Sequence, residues 1–248
     1  MKVVPGEVLE NRRLSQDFFL LKIGGDFPPA EPGQFAMVSV SSSLEPFLGR
    51  PFGIAMQERD ALIFLVKIVG RGTAMLSRRR RGEKISLVTP LGKGFSPIQG
   101  RALLAGGGSG IVPLVFLASR LSGYTLVYGA RTRREVFLDA FPHLQERARE
   151  VVVVTEDGSL GKKGLLTRHI PPGEFHMAYV SGPWAMMREF HRVYPGKAEF
   201  SLETRMACGF GACFGCAVKV MREGRERMVR ACVEGPVFKG EEIIWTQG

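Results

Sequence analysis

Hydrophobic and polar positions follow three different rhythms along this chain. Up to about residue 98, short apolar stretches such as Phe18–Ile23, Phe35–Val40 and Leu62–Ile68 alternate with turn signals such as Pro32-Gly33. Closely spaced strands of this kind predict a small antiparallel barrel. A short helix is expected to start near Gly72 and to run through the cluster Arg78–Arg81. The rhythm changes near Ser96-Pro97-Ile98-Gln99-Gly100. Beyond it, the apolar runs Ala102–Ala105, Thr125–Tyr128, Val151–Val154 and Ala178–Ser181 are separated by amphipathic stretches. Runs of four or five apolar residues between helical segments suit parallel strands buried on both faces, and so an α/β layer. The last fifty residues hold every cysteine and are rich in glycine around them. The expected organisation is therefore multidomain: an antiparallel β-barrel over 1–98, an α/β nucleotide-binding domain over 99–197 and a small cysteine-bearing segment over 198–248.

Bulk properties fit this reading. A length of 248 residues exceeds what one core usually organises, and 45% hydrophobic with 23% charged residues is a globular balance. No apolar run is long enough to span a bilayer, and the first residues, MKVVPGEVLENRR, have no apolar stretch of the kind a signal peptide needs. A cytoplasmic, reducing location is the expectation. The net charge of +10 and pI near 9.8 come with no basic stripe interleaved with aromatics, so no nucleic-acid partner is expected. Arg78–Arg81 reads as a solvated helix end or as a docking patch for an acidic partner. His143, His169, His176 and His191 are scattered and form no ligand-spaced pair.

The cysteines follow C-x4-C-x2-C-x15-C: Cys208, Cys213, Cys216 and Cys232. This is the plant-type 2Fe–2S order, three thiolates from one loop and the fourth from a distant strand. Gly209, Gly211 and Gly215 allow the loop to wrap a cluster closely. A structural zinc site, paired disulfides and free buried thiols are the competing readings.

A second constellation is Gly106-Gly107-Gly108-Ser109-Gly110, between the first strand of the α/β layer and the helix expected over Ile111–Arg120. A glycine-rich turn from strand to helix presents N–H groups suited to a pyrophosphate, although such turns also serve packing. Glu156, Asp157 and Gly158 follow the third strand; Ser181, Gly182 and Pro183 follow the next. All three turns are expected at the carboxyl edge of the sheet, where ligands bind in open α/β folds. Arg131, Arg133 and Arg134 follow the second strand, where a 2′-phosphate could lie, so NADH and NADPH are both open.

Arg50-Pro51-Phe52-Gly53-Ile54 and Gly70-Arg71-Gly72-Thr73, in this order and ahead of the glycine loop, resemble the flavin motifs of the ferredoxin–NADP reductase superfamily. Ser181-Gly-Pro-Trp-Ala-Met-Met-Arg resembles its C-G-P-x-x-M motif. Met206-Ala-Cys-Gly-Phe-Gly-Ala-Cys-Phe-Gly-Cys and Arg230-Ala-Cys-Val-Glu-Gly-Pro-Val-Phe238 look like those of the electron-transfer subunits of class 1B dihydroorotate dehydrogenases. The resemblance implies that NADH reduces FAD and that electrons leave through the 2Fe–2S centre. They exchange with FMN in a separate catalytic subunit that interconverts dihydroorotate and orotate, in a heterotetramer of two copies of each. It implies that Arg50, Pro51, Phe52 and Gly53 hold the flavin, that Leu65, Val66 and Lys67 run past it, and that Gly72 and Thr73 meet its pyrophosphate. The sequence departs twice: Gly53 stands where the flavin motif has Ser, and Ser181 where the nucleotide motif has Cys.

The cofactors carry the chemistry in such a relay, and no catalytic acid–base residue is named. No orotate site is visible, which favours a subunit over a complete enzyme. Phe210 and Phe214 are candidates either for docking a partner or for shielding the cluster. Related small subunits of sulfite reductase, hydrogenase or ferredoxin:NADP reductase complexes, and a zinc-stabilised binding module without flavin, are the alternative functions.

Overall fold

The structure, a computed structural model, describes residues 3–40 and 45–246. Its first part is antiparallel: β1 (Val3–Arg13), β2 (Phe18–Gly24), β3 (Phe35–Val38), β4 (Arg50–Gly53), β5 (Met56–Glu58), β6 (Ala61–Lys67), helix α1 (Arg71–Leu76) and β7 (Lys84–Leu91). The strand order β4-β3-β7-β1-β2-β6-β5 curls the sheet into a barrel-like half around Leu21, Ile23, Leu62, Phe64 and Val66.

Helix α1 stops short of the arginine cluster, contrary to expectation. The Asn11 amide donates to the carbonyl oxygens of Leu76 and Arg79, at 2.9 and 2.8 Å, and so takes up acceptors at the end of the helix. Gly82 then turns the chain at φ +89°. Arg79 donates to Val40 O and pairs with Glu83, so part of the cluster stitches the barrel rather than lying free in solvent.

The second part follows as β8 (Ala102–Gly107), α2 (Val112–Ala118), β9 (Tyr124–Ala130), α3 (His143–Glu146), β10 (Ala148–Thr155), β11 (Lys162–Lys163), β12 (Met177–Ser181), α4 (Trp184–Val193) and β13 (Ala198–Ser201). Every residue of β8 and β9 is buried, the pattern of central parallel strands. With β16 (Val237–Lys239) at its edge, the order β11-β10-β9-β8-β12-β13-β16 is doubly wound, parallel except at that last strand. Strand order reverses between β8 and β12. There the turns after the two strands diverge and leave a crevice.

The remaining residues form the hairpin β14 (Ala217–Arg222) and β15 (Arg225–Arg230), the short helix α5 (Ala231–Glu234) and β16 (Val237–Lys239). β16 returns to pair antiparallel with β13, Ser201 facing Val237. Two strands of the expected 198–248 segment therefore belong to the second sheet, and the cysteine loop is an excursion between them. This excursion builds no core of its own. Cys216, Val218, Val220, Val229 and Cys232 pack with Phe35 and Met37 of the barrel and Phe200 of the second sheet.

A cysteine loop facing two confluent cavities

The four cysteines are held as two pairs. Cys216 and Cys232 are buried with their sulfurs 3.2 Å apart. Cys208 and the exposed Cys213 form the other pair, linked through their thiols. Desolvation pushes the Cys208 thiol up, but the N–H groups of Phe210, Cys213 and Ala212 and the Cys213 thiol outweigh it and hold it down at about 6. A sulfur that receives three backbone N–H groups is prepared to be a thiolate ligand. Cys232 is pushed up to about 12, first by burial and then by Cys216 beside it. With a cation beside them, such closely placed thiols can lose their protons and serve as ligands. Two thiol pairs at this spacing suit a two-iron centre.

The loop is shaped by its neighbours. Gly209, at φ +79°, lies against Met37, whose Sδ would be 2.8 Å from a Cβ there. Gly211, at φ +92°, lies against Val233. Arg230 braces the arrangement: its guanidinium forks onto Glu234, donates to Gly211 O at 3.2 Å and lies 5.2 Å from the centre of the Phe214 ring. Arg230 and Glu234 lie in a segment that the sequence singled out, but their bracing role did not show there, because an i,i+4 ion pair looks like ordinary surface charge. Phe210 and Phe214 are about half exposed, with Met228 and Met221 also open to solvent.

Beside the loop lies a cavity of about 360 Å³, walled by Pro51, Phe52, Gly53, Leu65, Lys67 and Thr73 of the barrel, Val112 and Pro113 of α2, and Ser201–Thr204. Met206 and Pro236, from the cysteine excursion, close it. The wall residue Thr204 keeps a hydroxyl with no hydrogen-bond partner among the described residues, and Gly53 adds no side chain. The volume, the apolar walls and the bare backbone at Gly53 fit a flavin ring.

Four expected flavin residues either stand off the cavity wall or have their polar groups engaged elsewhere. Val66 is fully buried in the barrel core, because strand alternation sends Leu65 and Lys67 to the cavity and Val66 away from it. The Thr73 hydroxyl is engaged with its own loop, accepting from Val69 and Gly70 N–H groups at 2.9 and 3.2 Å. Arg50 and Gly72 are not cavity walls but lie against each other: a Cβ on Gly72 would stand 2.8 Å from Arg50 Nε. Arg50 is oriented by donating to Leu48 O at 2.6 Å.

A second cleft, of about 380 Å³, opens at the crevice between β8 and β12. Gly107, Gly108, Ser109, Gly110, Glu156 and Pro183 line it, as do Arg131, Glu135, Met186 and Glu203. The glycines divide their tasks. Gly110 packs directly on the Gly182 backbone, and a Cβ at Gly107 would meet Met186 Sδ at 2.7 Å. Gly108 is in the left-handed region at φ +55°, with open space where a Cβ would be. Packing and ligand access are thus both served by one loop.

Other expected nucleotide residues stand behind the cleft wall. Gly106 lies under Ile111, and Ser181 is buried, its hydroxyl directed to Ser201 O at 3.5 Å. Gly182 supplies the close approach to Gly107. Asp157 accepts from the Ser159 N–H and hydroxyl at 2.9 and 2.6 Å, so its carboxyl shapes the turn in which Gly158 takes φ +78°. Arg131 reaches the cleft, whereas Arg133 and Arg134 sit in a short turn over residues 133–135. The four histidines stay out of both cavities; His143 bonds Val115 O, His169 bonds Lys163 O, His176 accepts from Arg101 N–H, and His191 stacks on Trp245.

Comparison with known proteins agrees with this geometry. Residues 203–244 match the iron–sulfur cluster binding domain of dihydroorotate dehydrogenase B. The chain is 41% identical over 233 residues to the electron transfer subunit of dihydroorotate dehydrogenase B (NAD(+)) from Desulforamulus reducens, covering 87% of each chain. It is 36% identical over 245 residues to the same subunit of Caldanaerobacter subterraneus subsp. tengcongensis, covering 96% of this chain and 97% of that one. Among solved structures, a chain of an NADH-dependent reduced ferredoxin–NADP oxidoreductase, described for flavin-based electron bifurcation, superposes with a TM-score of 0.83 at 28% identity. The match covers 98% of this chain and 90% of that one. A ferredoxin–NADP⁺ reductase from Neisseria gonorrhoeae shares the fold over 78% of the chain, with a TM-score of 0.62 at 18% identity.

Proposed function

The chain belongs to the family of dihydroorotate dehydrogenase B electron transfer subunits, and on that premise we propose how its residues carry electrons between NADH and a catalytic partner subunit. It is an oxidoreductase subunit using FAD, a 2Fe–2S cluster and NADH, in pyrimidine biosynthesis. One observation carries the reading: the cavity that fits a flavin is walled on one side by the nucleotide-binding domain and on the other by Met206 and Pro236 of the cysteine excursion. Donor, flavin and exit are neighbours in one line.

When bound, the flavin supplies the exchange between a two-electron hydride and one-electron transfers to the cluster. Gly108, Ser109 and Gly110 receive the dinucleotide pyrophosphate on loop N–H groups, and Glu156 faces its adenosine ribose. Pro51, Phe52, Gly53 and Leu65 hold the flavin ring. Cys208, Cys213, Cys216 and Cys232 ligate the cluster, with N–H groups of the loop countering its charge. We assign residues 1–98, 99–197 and 198–248 to these three tasks, with β13 and β16 anchoring the third in the sheet of the second. The Phe210–Phe214 face docks the partner, whose acceptor on this reading is FMN, in a complex of two copies of each subunit in the cytoplasm. No helix among the described residues is long and apolar enough to cross a membrane.

The test is reduction of the purified protein by NADH under anaerobic conditions, followed by co-purification with a dihydroorotate dehydrogenase subunit and an NADH-to-orotate assay. Flavin bleaching, a rhombic EPR signal and orotate reduction are expected. A colourless protein with stoichiometric zinc would reject the reading. The 0.83 TM-score favours a second reading for the partner alone, a ferredoxin–NADP reductase type of complex. Selective binding of such a subunit in place of the dihydroorotate dehydrogenase would establish it.

A further inference from the structure

Lys67, Ser109 and Glu203 line both cavities. On the functional reading above, nicotinamide and flavin meet across this junction. Among the residues lining the flavin cavity, Glu203 is the one carboxyl group, and Lys67 is the one other titratable side chain. Gly53 offers no hydroxyl there. Glu203 follows β13 at the carboxyl edge of the sheet. Its side chain is exposed to solvent at the junction of the two cavities. Desolvation by the surrounding protein raises its carboxyl pKa, and Lys67 opposes the rise. Lys67 is itself shared, lying 3.6 Å from Glu135 and 5.2 Å from the centre of the Phe18 ring. One cation thus serves two carboxylates, one on each side of the junction. Arg131, Glu156 and Glu189 are the other charged groups on the cleft walls. Of these groups, Lys67 is the one whose charge opposes the rise at Glu203.

We propose that Glu203 accepts the proton that leaves the reduced flavin when its electrons pass to the cluster, with Lys67 as its counter-ion. The step balances. NADH and FAD give NAD⁺ and FADH⁻, the hydride bringing two electrons and one proton. As the two electrons leave one at a time through the cluster to the partner, FADH⁻ returns to FAD and the N–H bond formed by the hydride breaks. The proton passes to the Glu203 carboxylate and then to solvent at the cleft mouth. Electron flow in the other direction returns it by the same group. The ionised form of Glu203 is the competent one in the forward direction, so the rate rises with pH through its raised pKa.

The experiment uses the chain with FAD and cluster bound, reduced by NADH and mixed anaerobically with ferricyanide while flavin absorbance is followed. Glu203→Gln keeps the size and removes the acceptor. Flavin oxidation is expected to slow on the order of tenfold or more and to lose the pH dependence seen in the parent. Lys67→Met is expected to move the midpoint of the pH profile up, and Glu135→Gln to move it down. Carbon NMR of the Glu203 carboxyl in the oxidised chain with FAD and cluster bound, without NADH, should show the same two displacements, independent of turnover. An unchanged profile in Glu203→Gln, a midpoint unmoved by Lys67→Met, or an effect confined to NADH affinity overturns the proposal. A parent protein that binds no FAD overturns the functional reading with it; FAD and cluster present with an unaltered profile overturn the proton role alone.

Discussion

The nucleotide cleft and the cysteine loop solve the problem of holding a cofactor in opposite ways. The cleft is the edge of a seven-stranded sheet whose central strands are buried along their whole length. Its binding groups are backbone turns, fixed by the core beneath them. The cysteine excursion has one two-stranded hairpin and borrows apolar partners from both neighbours. Its candidate binding groups are four thiols, of which Cys208 is held down to about 6 and Cys232 is pushed up to about 12. The comparison teaches where each site is vulnerable: the cleft to any added volume, the loop to any lost charge or ligand.

The largest expected effect follows from Cys216→Ser, which removes a ligand from the buried pair. Iron content and the visible cluster spectrum should be lost, and amide exchange should accelerate across 203–236. Exchange in β8, β9 and β12 should stay as slow as in the parent. Loss of protection in those strands as well would break the comparison, by showing that the cluster supports the sheet.

Next is Gly110→Ala, whose methyl group would overlap the Gly182 backbone. A cost of about 1–3 kcal/mol is expected from overpacking, seen as a lower melting temperature, with weakened NADH binding and an unaltered cluster spectrum.

Arg230→Met sharpens the contrast on the other side. Removing this solvent-screened brace should change the melting temperature little, yet chelators should strip iron several times faster. The pH dependence has a definite sign. Glu234 is held below the usual carboxylate range, chiefly by the Arg230 guanidinium. A depressed pKa means that the pair stabilises the fold above the ordinary carboxylate pKa and loses that contribution as pH falls through the lowered one. Iron loss in the parent should therefore accelerate as pH falls below the ordinary carboxylate range, and the increment due to this pair should vanish in Arg230→Met.

The smallest effect is expected at Gly53→Ser. A Cβ there would sit 3.3 Å from Val112 Cγ1, a contact that a small shift relieves. FAD affinity measured by fluorescence should change little, with under about 1 kcal/mol lost in stability.

Much of this was legible in the sequence because it depends on local pattern. Four apolar runs became β8, β9, β10 and β12, and cysteine spacing brought the four sulfurs together in two pairs. What escaped depended on distant partners. The end of α1 is set by Asn11, more than sixty residues away. Val66 and Leu65 are both apolar, and only the register of β6 decides which faces the cavity. The Thr73 hydroxyl and the Asp157 carboxyl are engaged within their own turns, which the sequence does not show. Glu203 could have been found by extending the carboxyl-edge rule to a fifth strand, Ala198–Ser201, whose four residues are too few to declare themselves.

The pairing of Ser201 with Val237 gives the cysteine excursion adjacent ends. A segment entered and left at neighbouring points behaves as an insertion into a hairpin, the arrangement in which foreign domains are best tolerated. The chain can thus be seen as a two-domain flavin reductase with a removable cartridge. Cutting the cartridge at its neck would leave β13 and β16 joined by a short turn, and the parent reductase without its electrical outlet. The same neck is a natural socket for grafting a different redox centre onto the same flavin.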